Sequence, residues 1–221
     1  MHSPGPQRGP ATRQELWFYA IFCFALLALF AGDVWTNYSP VKLSALLFVL
    51  FWIPLLALHE AAHAAVAKIV GWRVDKIVIG MGRPIGAFQI GSVDVELKVL
   101  PLEGFVRSFP KDLNFPGLKH AMIYAAGPGV ELLLAGLILQ FGGPEKLLVH
   151  SDQYVTIALQ SLVLASATGG ILNLIPYAVQ TSDGNVIPND GLGIFRSLSR
   201  PSGAYVALVN QERSGDNEED V

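Results

Sequence analysis

The sequence has few charged residues and a single cysteine. Asp, Glu, Lys and Arg make up 15% of the 221 residues, whereas soluble proteins average about 25%. The net charge of −3 excludes a nucleic-acid-binding module, which would need a basic excess. Cys23 alone cannot form an intramolecular disulfide or a multi-cysteine zinc site. Apolar residues reach 52% and the mean hydropathy is +0.44, which indicates an integral protein of a lipid bilayer.

Four apolar runs are long enough to cross a membrane. They are predicted at about residues 16–34, 43–70, 121–141 and 154–176. The first run could also be an uncleaved signal sequence, but its length favours a spanning helix. The predicted organisation is a disordered arm (1–15), one membrane domain (16–200) and a disordered acidic tail (201–221).

The positions of the basic residues predict the orientation in the membrane. Lys42 is the only basic residue between the first two spans, and Lys146 is the only one between the last two. Most of the others lie before the first span, between spans two and three, or after span four. Because positive charge marks the cytoplasmic side, both termini are predicted to be cytoplasmic in a multi-pass protein of the cell or inner membrane.

Residues 71–119 have no helical periodicity. Between residues 93 and 99, Val or Leu alternates with Asp, Glu and Lys, which is the pattern of a half-buried strand. Turns between several short strands are predicted at Gly80, Gly82, Gly86, Gly91 and Gly104. The predicted fold is therefore a mainly α, polytopic membrane protein with about four transmembrane helices and a small membrane-associated β-sheet between helices two and three.

The second span contains His59-Glu60-Ala61-Ala62-His63, an HExxH pattern. Residues four apart share one face of a helix, so both imidazoles can bind one metal ion. Zinc lowers the pKa of a water molecule that it binds to about 7, and Glu60 is placed to accept a proton from that water. Two polar histidines in a helix bundle are the alternative, but ionisable groups inside a membrane helix are usually functional.

A catalytic zinc site needs a third protein ligand. The candidates lie after span four, in the segment from Asn173 to Leu192, which contains Asp183-Gly184 and Asp190-Gly191. Asp183-Gly184 lies between Val179-Gln-Thr and Asn185-Val-Ile and is typical of a hairpin turn. Asp190-Gly191 precedes LGIFRSL, a segment that can be helical.

Taken together, these motifs resemble the site-2 protease family of intramembrane zinc metalloproteases over about residues 43–198. The strings GWRVDKIVIGMGRPIGAF and VDVELKVLPLEGFVRSF resemble the family's membrane-associated β-region. AAGPGVELLLA resembles its AGPxxN helix, and NLIP followed by DG resembles its NxxP…DG motif, whose aspartate is the third ligand. Neither a PDZ-sized insertion at 109–119 nor a nucleotide-binding domain after span four is present, so a minimal member is expected.

The resemblance implies further roles for individual residues. Asp190 is expected to be the third ligand, since the family's DG precedes a helix, and Asp183 is expected to be a turn residue. A substrate-binding role is carried to Asn173 and to Glu131, although the family commonly has Asn where this chain has Glu131. A helix C-cap is the alternative for Asn173, and a carboxylate that faces a polar cavity is the alternative for Glu131.

The implied function is a zinc metalloendopeptidase, with Zn2+ as cofactor and Glu60 as general base. It would hydrolyse peptide bonds within or next to transmembrane segments of membrane proteins, as in regulated intramembrane proteolysis. A free strand edge at 93–100 or 77–79 is expected to hold the unwound substrate by β-augmentation.

One alternative is a catalytically degenerate relative that binds client transmembrane helices without cleaving them. A metal transporter is disfavoured because the ionisable residues cluster at one depth.

Overall fold

The computed structural model describes residues 13–180 and 186–210. The helices are α1 (Arg13–Thr36), α2 (Leu43–Ile69), α3 (Pro116–Gly142), α4 (Pro144–Leu147), α5 (Tyr154–Leu174) and α6 (Asp190–Ser199). The strands are β1 (Trp72–Ile90), β2 (Val93–Pro110), β3 (Ala178–Gln180) and β4 (Val186–Pro188). Short 3-10 helices occur at Pro40–Lys42 and Ser202–Tyr205.

Four of the described helices are long and apolar enough to span a membrane. The segments are Trp17–Thr36, Pro40–Ile69, Pro116–Gly142 and Tyr154–Leu174. The predicted fold class is therefore confirmed. The third helix begins earlier than predicted because Pro116 is well suited to a first helical position, where its missing N–H costs nothing. Helix α3 packs against α2, α5 and α6, whereas α1 contributes little to the protein interior.

The sheet between α2 and α3 is built from two long, bent strands. β1 and β2 pair antiparallel and are joined at a tight turn in which Gly91 has a φ of 63°. Gly80 allows a sharp bend in β1, with a φ of 96°, and a Cβ there would lie 2.8 Å from the carbonyl oxygen of Leu100. The short strands predicted from the glycine pattern correspond to the halves of these bent strands.

The two stretches expected to offer a free edge, residues 77–79 and 93–100, lie inside the sheet. Ile77 is opposite Val95 on one side and Val106 on the other. The first half of β2 likewise pairs with both halves of β1. The expectation of a free edge at either stretch was therefore wrong, because the bends bring the strand halves back alongside one another.

Two other strand halves form the edges of the described sheet. Residues 104–110 pair only with the first half of β1, and residues 84–90 pair only with the first half of β2. The outer side of each has no strand partner among the described residues. Of the two, the edge at 104–110 is the one next to the HExxH helix, because a Cβ at Gly104 would lie 2.6 Å from Oε1 of Glu60.

After α5, a small antiparallel hairpin leads into α6. Gln180 pairs with Val186, and residues 181–185, which include Asp183, lie outside the described residues. Helical structure continues through residues 202–210, ahead of the acidic end of the chain. Tyr205 is fully buried and packs its ring edge-on against Trp72, so this segment belongs to the folded domain although the sequence predicts a tail from residue 201.

Candidate metal centre

Helix α2 presents the three HExxH side chains to the protein interior. His59, Glu60 and His63 are all buried, with relative exposures of 6%, 4% and 7%. Nδ1 of His63 lies 2.6 Å from the carbonyl oxygen of Ile123 on α3. A histidine that donates Nδ1–H to a carbonyl leaves Nε2 free as a metal ligand. The α2–α3 packing therefore fixes the orientation of the His63 ring.

Asp190 lies beside the Nε2 atoms of both histidines. Its Oδ2 is 2.9 Å from Nε2 of His59, and its Oδ1 is 3.4 Å from Nε2 of His63. One ligand atom from each of the three residues lies within 4.8 Å of the others, which is close enough for one metal ion. The three residues come from positions 59, 63 and 190, so folding brings together groups that are far apart in sequence.

The surroundings of Asp190 favour its charged form, which metal coordination requires. Burial alone would raise the pKa of Asp190, but the hydrogen bonds and charges of His59 and His63 outweigh that effect. The pKa of Asp190 is therefore lowered from its ordinary value. The carboxylate is present at neutral pH in this environment.

Glu131 contacts the outer nitrogen of His59. Its Oε2 lies 3.3 Å from Nδ1 of His59, and Glu131 is itself 4% exposed. Gly169 on α5 makes room for the carboxylate, because a Cβ there would lie 2.9 Å from Oε1. A carboxylate behind a ligating histidine fixes the ring orientation and strengthens the ligand. This geometry suits an orienting role at least as well as the substrate contact that the sequence predicts.

The space between the ligands suits a metal ion. A Cβ at Gly127 would press against Nε2 of both His59 and His63, so the missing side chain leaves the coordinating nitrogens accessible from α3. Oε2 of Glu60 is buried and has no hydrogen-bond partner among the described residues. Such an atom is expected to face a bound water or ion. Two imidazoles and one carboxylate are a donor set that zinc uses in catalytic sites.

The cluster opens into a cavity of about 1290 Å³. Membrane helices, the 104–110 edge and α6 all contribute to its lining. Asn173, near the end of α5, is one of the lining residues, and its backbone carbonyl accepts a hydrogen bond from Asn189 at 2.9 Å. The HExxH residues, Asp190 and Asn173 therefore line one common cavity.

Asn189 is a structural residue that the sequence analysis does not identify. Its side chain caps α6 by accepting a hydrogen bond from the N–H of Leu192 at 3.1 Å. The signal was present, since Asn directly before a helix is a common N-cap. Its contacts with α5 carbonyls depend on tertiary packing and carry no sequence signature.

Comparison with known proteins agrees with this architecture. Residues 46–151 match the model of Peptidase family M50. A Clostridium perfringens protein named as a zinc metalloprotease is 36% identical over 93 residues, which cover 38% of this chain and 28% of that protein. The zinc metalloprotease RasP of Geobacillus kaustophilus is 27% identical over 130 residues, or 58% and 28% of the two chains. The chloroplastic membrane metalloprotease ARASP of Arabidopsis thaliana is 27% identical over 99 residues, or 38% and 22%.

The structure thus combines four helices that are long and apolar enough to span a membrane with an HExxH helix and an aspartate on α6 that converges on its two histidines. The chain is similar to Peptidase family M50 over residues 46–151, which is slightly less than half of its length. The matched region includes the HExxH residues, Gly127 and Glu131, whereas Asp190 lies beyond it. The matches span about a quarter of the length of these relatives.

Proposed function

We propose that this protein is an intramembrane zinc metalloprotease that hydrolyses peptide bonds within or next to transmembrane segments of other membrane proteins. The observation that carries the proposal is the convergence of His59, His63 and Asp190 around a space kept open by Gly127. The relatives named as zinc metalloproteases support the same chemistry.

His59, His63 and Asp190 would hold the zinc ion. When bound, zinc lowers the pKa of a water molecule and polarises the carbonyl of the scissile bond. Glu60 accepts the proton of the attacking water and then donates it to the leaving amine. Asn173 lines the same cavity and contributes a hydrogen bond to the substrate or to the developing oxyanion. Glu131 holds the ring of His59 in place.

A substrate helix must unwind locally before its peptide bond can be attacked, because its backbone groups are already hydrogen-bonded. The outer edge at residues 104–110 offers backbone donors and acceptors to such an unwound stretch. Gly104 places this edge directly against Glu60. A strand added here would therefore lie alongside the catalytic residues. The basic-residue pattern supports a cytoplasmic location of this sheet and of both termini, in the cell or inner membrane.

Cleavage of a membrane-spanning test substrate in liposomes tests the proposal. The reconstituted protein should cut the substrate within or next to its spanning segment. A zinc chelator should stop the reaction and added Zn2+ should restore it, because the three ligands have no catalytic power without the metal. Zinc binding with no cleavage of any transmembrane substrate would instead support a degenerate relative that retains client helices.

Proline substitutions in the edge strand test the substrate-binding model. Neighbouring N–H groups of a strand point to opposite sides of it. Of the two variants Phe105→Pro and Val106→Pro, one therefore removes an N–H that faces away from β1, and the other removes an N–H that pairs with β1. The variant that loses the N–H facing away from β1 is expected to lose most of its turnover while it retains zinc. Leu113→Pro, in the connector before α3, is the control. Equal losses of zinc and turnover in both edge variants would contradict edge binding.

A further inference from the structure

The side chain of Asn189 makes four hydrogen bonds, two as acceptor and two as donor. The four partners are the N–H of Leu192 at 3.1 Å, the N–H of Tyr177 at 3.0 Å, the carbonyl of Asn173 at 2.9 Å and the carbonyl of Ile175 at 2.7 Å. A primary amide has two donor hydrogens and two acceptor lone pairs. This side chain therefore uses its full hydrogen-bonding capacity inside the protein.

These four partners belong to two separate parts of the fold. Leu192 is in the first turn of α6, whereas the other three residues are in the end of α5 and the turn that follows it. The chain between them leaves as the β3–β4 hairpin and returns at Asn189. The backbone N–H of Asn189 also donates to the carbonyl of Tyr177, at 3.1 Å. Asn189 thus connects the beginning of α6 to the end of α5 across the base of the hairpin.

Close backbone packing occurs at the same junction. Gly191 lies so near the carbonyl of Leu174 that a Cβ at this position would collide with it. Helix α5 packs against α2 and α3, and α2 carries the two histidines. Helix α6 packs mainly along α3, whereas its first turn, which carries Asp190, is held at the end of α5, so the position of Asp190 relative to His59 and His63 depends in part on that junction.

We propose that Asn189 is a positioning residue that sets the location of the third metal ligand, Asp190. The inference rests on the proposed zinc site. The side chain of Asn189 makes its four hydrogen bonds to backbone groups, so it acts by fixing the backbone next to Asp190. Residues that orient metal ligands typically change metal affinity 10–100-fold when they are removed.

Zinc affinity of the full-length protein in detergent tests the proposal. Metal-free wild type, Asn189→Ala and Asn189→Ser are titrated with Zn2+ against a chromophoric chelator. Serine can still cap α6 at Leu192 but is too short to bridge to the carbonyls of α5. Both variants are expected to bind zinc about 10–100-fold more weakly than wild type. The absorption bands of bound Co2+ should also shift in both, since the ligand geometry changes.

Ser199→Ala is the matched control at the other end of the same helix. It removes the hydrogen bond from Ser199 Oγ to the carbonyl of Phe195 and should leave zinc affinity unchanged. Wild-type affinity in Asn189→Ser would show that helix capping alone is sufficient and would overturn the proposal. Wild-type affinity in both Asn189 variants would do the same. If Asn189→Ala aggregates, Asn189→Ser decides the question, because it retains the cap. Failure of the wild type to bind zinc would instead refute the proposed zinc site itself.

Discussion

Glu60→Gln is expected to abolish proteolysis while zinc binding is retained. The amide has nearly the same size as the carboxylate but cannot accept a proton from the attacking water. Glu60 is not one of the three residues that converge as metal ligands, so their geometry should survive the substitution. General acid–base catalysis typically contributes 10²- to 10⁴-fold, and we expect a loss of about that size in cleavage of a transmembrane test substrate.

Zinc content and cleavage should be measured on the same preparation of the Glu60→Gln variant. Glu145→Gln is the matched control, because Glu145 is an exposed carboxylate on α4 and does not line the cavity. It should retain wild-type turnover. Full activity in Glu60→Gln would remove Glu60 from the mechanism. Loss of zinc together with activity would show that Glu60 supports the metal site rather than proton transfer.

Gly127→Ala is expected to eliminate both zinc binding and cleavage. The added methyl group would press against Nε2 of His59 and of His63, the two atoms that must face the metal. Alanine is favoured over glycine within a helix by about 1 kcal/mol, so helix propensity gives no reason for α3 to unfold. The loss should therefore appear as a failure to bind zinc in a protein that still inserts into membranes and purifies normally.

Gly129→Ala provides a stringent control for this effect. It adds the same methyl group to the same helix, two residues further along, where the new Cβ would have no described atom within 4 Å apart from its chain neighbours and the nearby backbone of α3 itself. Zinc content and turnover should match those of wild type. Retention of both properties in Gly127→Ala would show that the metal does not occupy the space between the two histidines and α3.

The membrane helices were predictable because they depend on local composition. The second span was predicted at about residues 43–70, and α2 runs from Leu43 to Ile69, since the length of an apolar run sets the length of a spanning helix. The strand pairing could not be derived in the same way. Glycines such as Gly80 mark where the chain bends but carry no information about which strand halves meet, so the free edge was assigned to the wrong stretches.

That His59 and His63 face the same side of α2 was predictable from their spacing, because residues four apart on a helix share a face. The choice of Asp190 combined a family resemblance with the helix that follows it, and the structure begins α6 at that residue. The contact between Glu131 and His59 depends on how α2 and α3 pack, which no local pattern encodes. The bonds from Asn189 to the carbonyls of α5 have the same origin.

Zinc content of the purified wild type, Asp190→Ala and Asp183→Ala is the most direct test of the central claim. After purification in detergent under metal-replete conditions, wild type and Asp183→Ala should contain stoichiometric zinc. Asp190→Ala should lose it, because the carboxylate that meets His59 and His63 is gone. Zinc retained in Asp190→Ala and lost in Asp183→Ala would contradict the assignment of the third ligand. A wild-type protein without zinc would contradict the metal site as a whole.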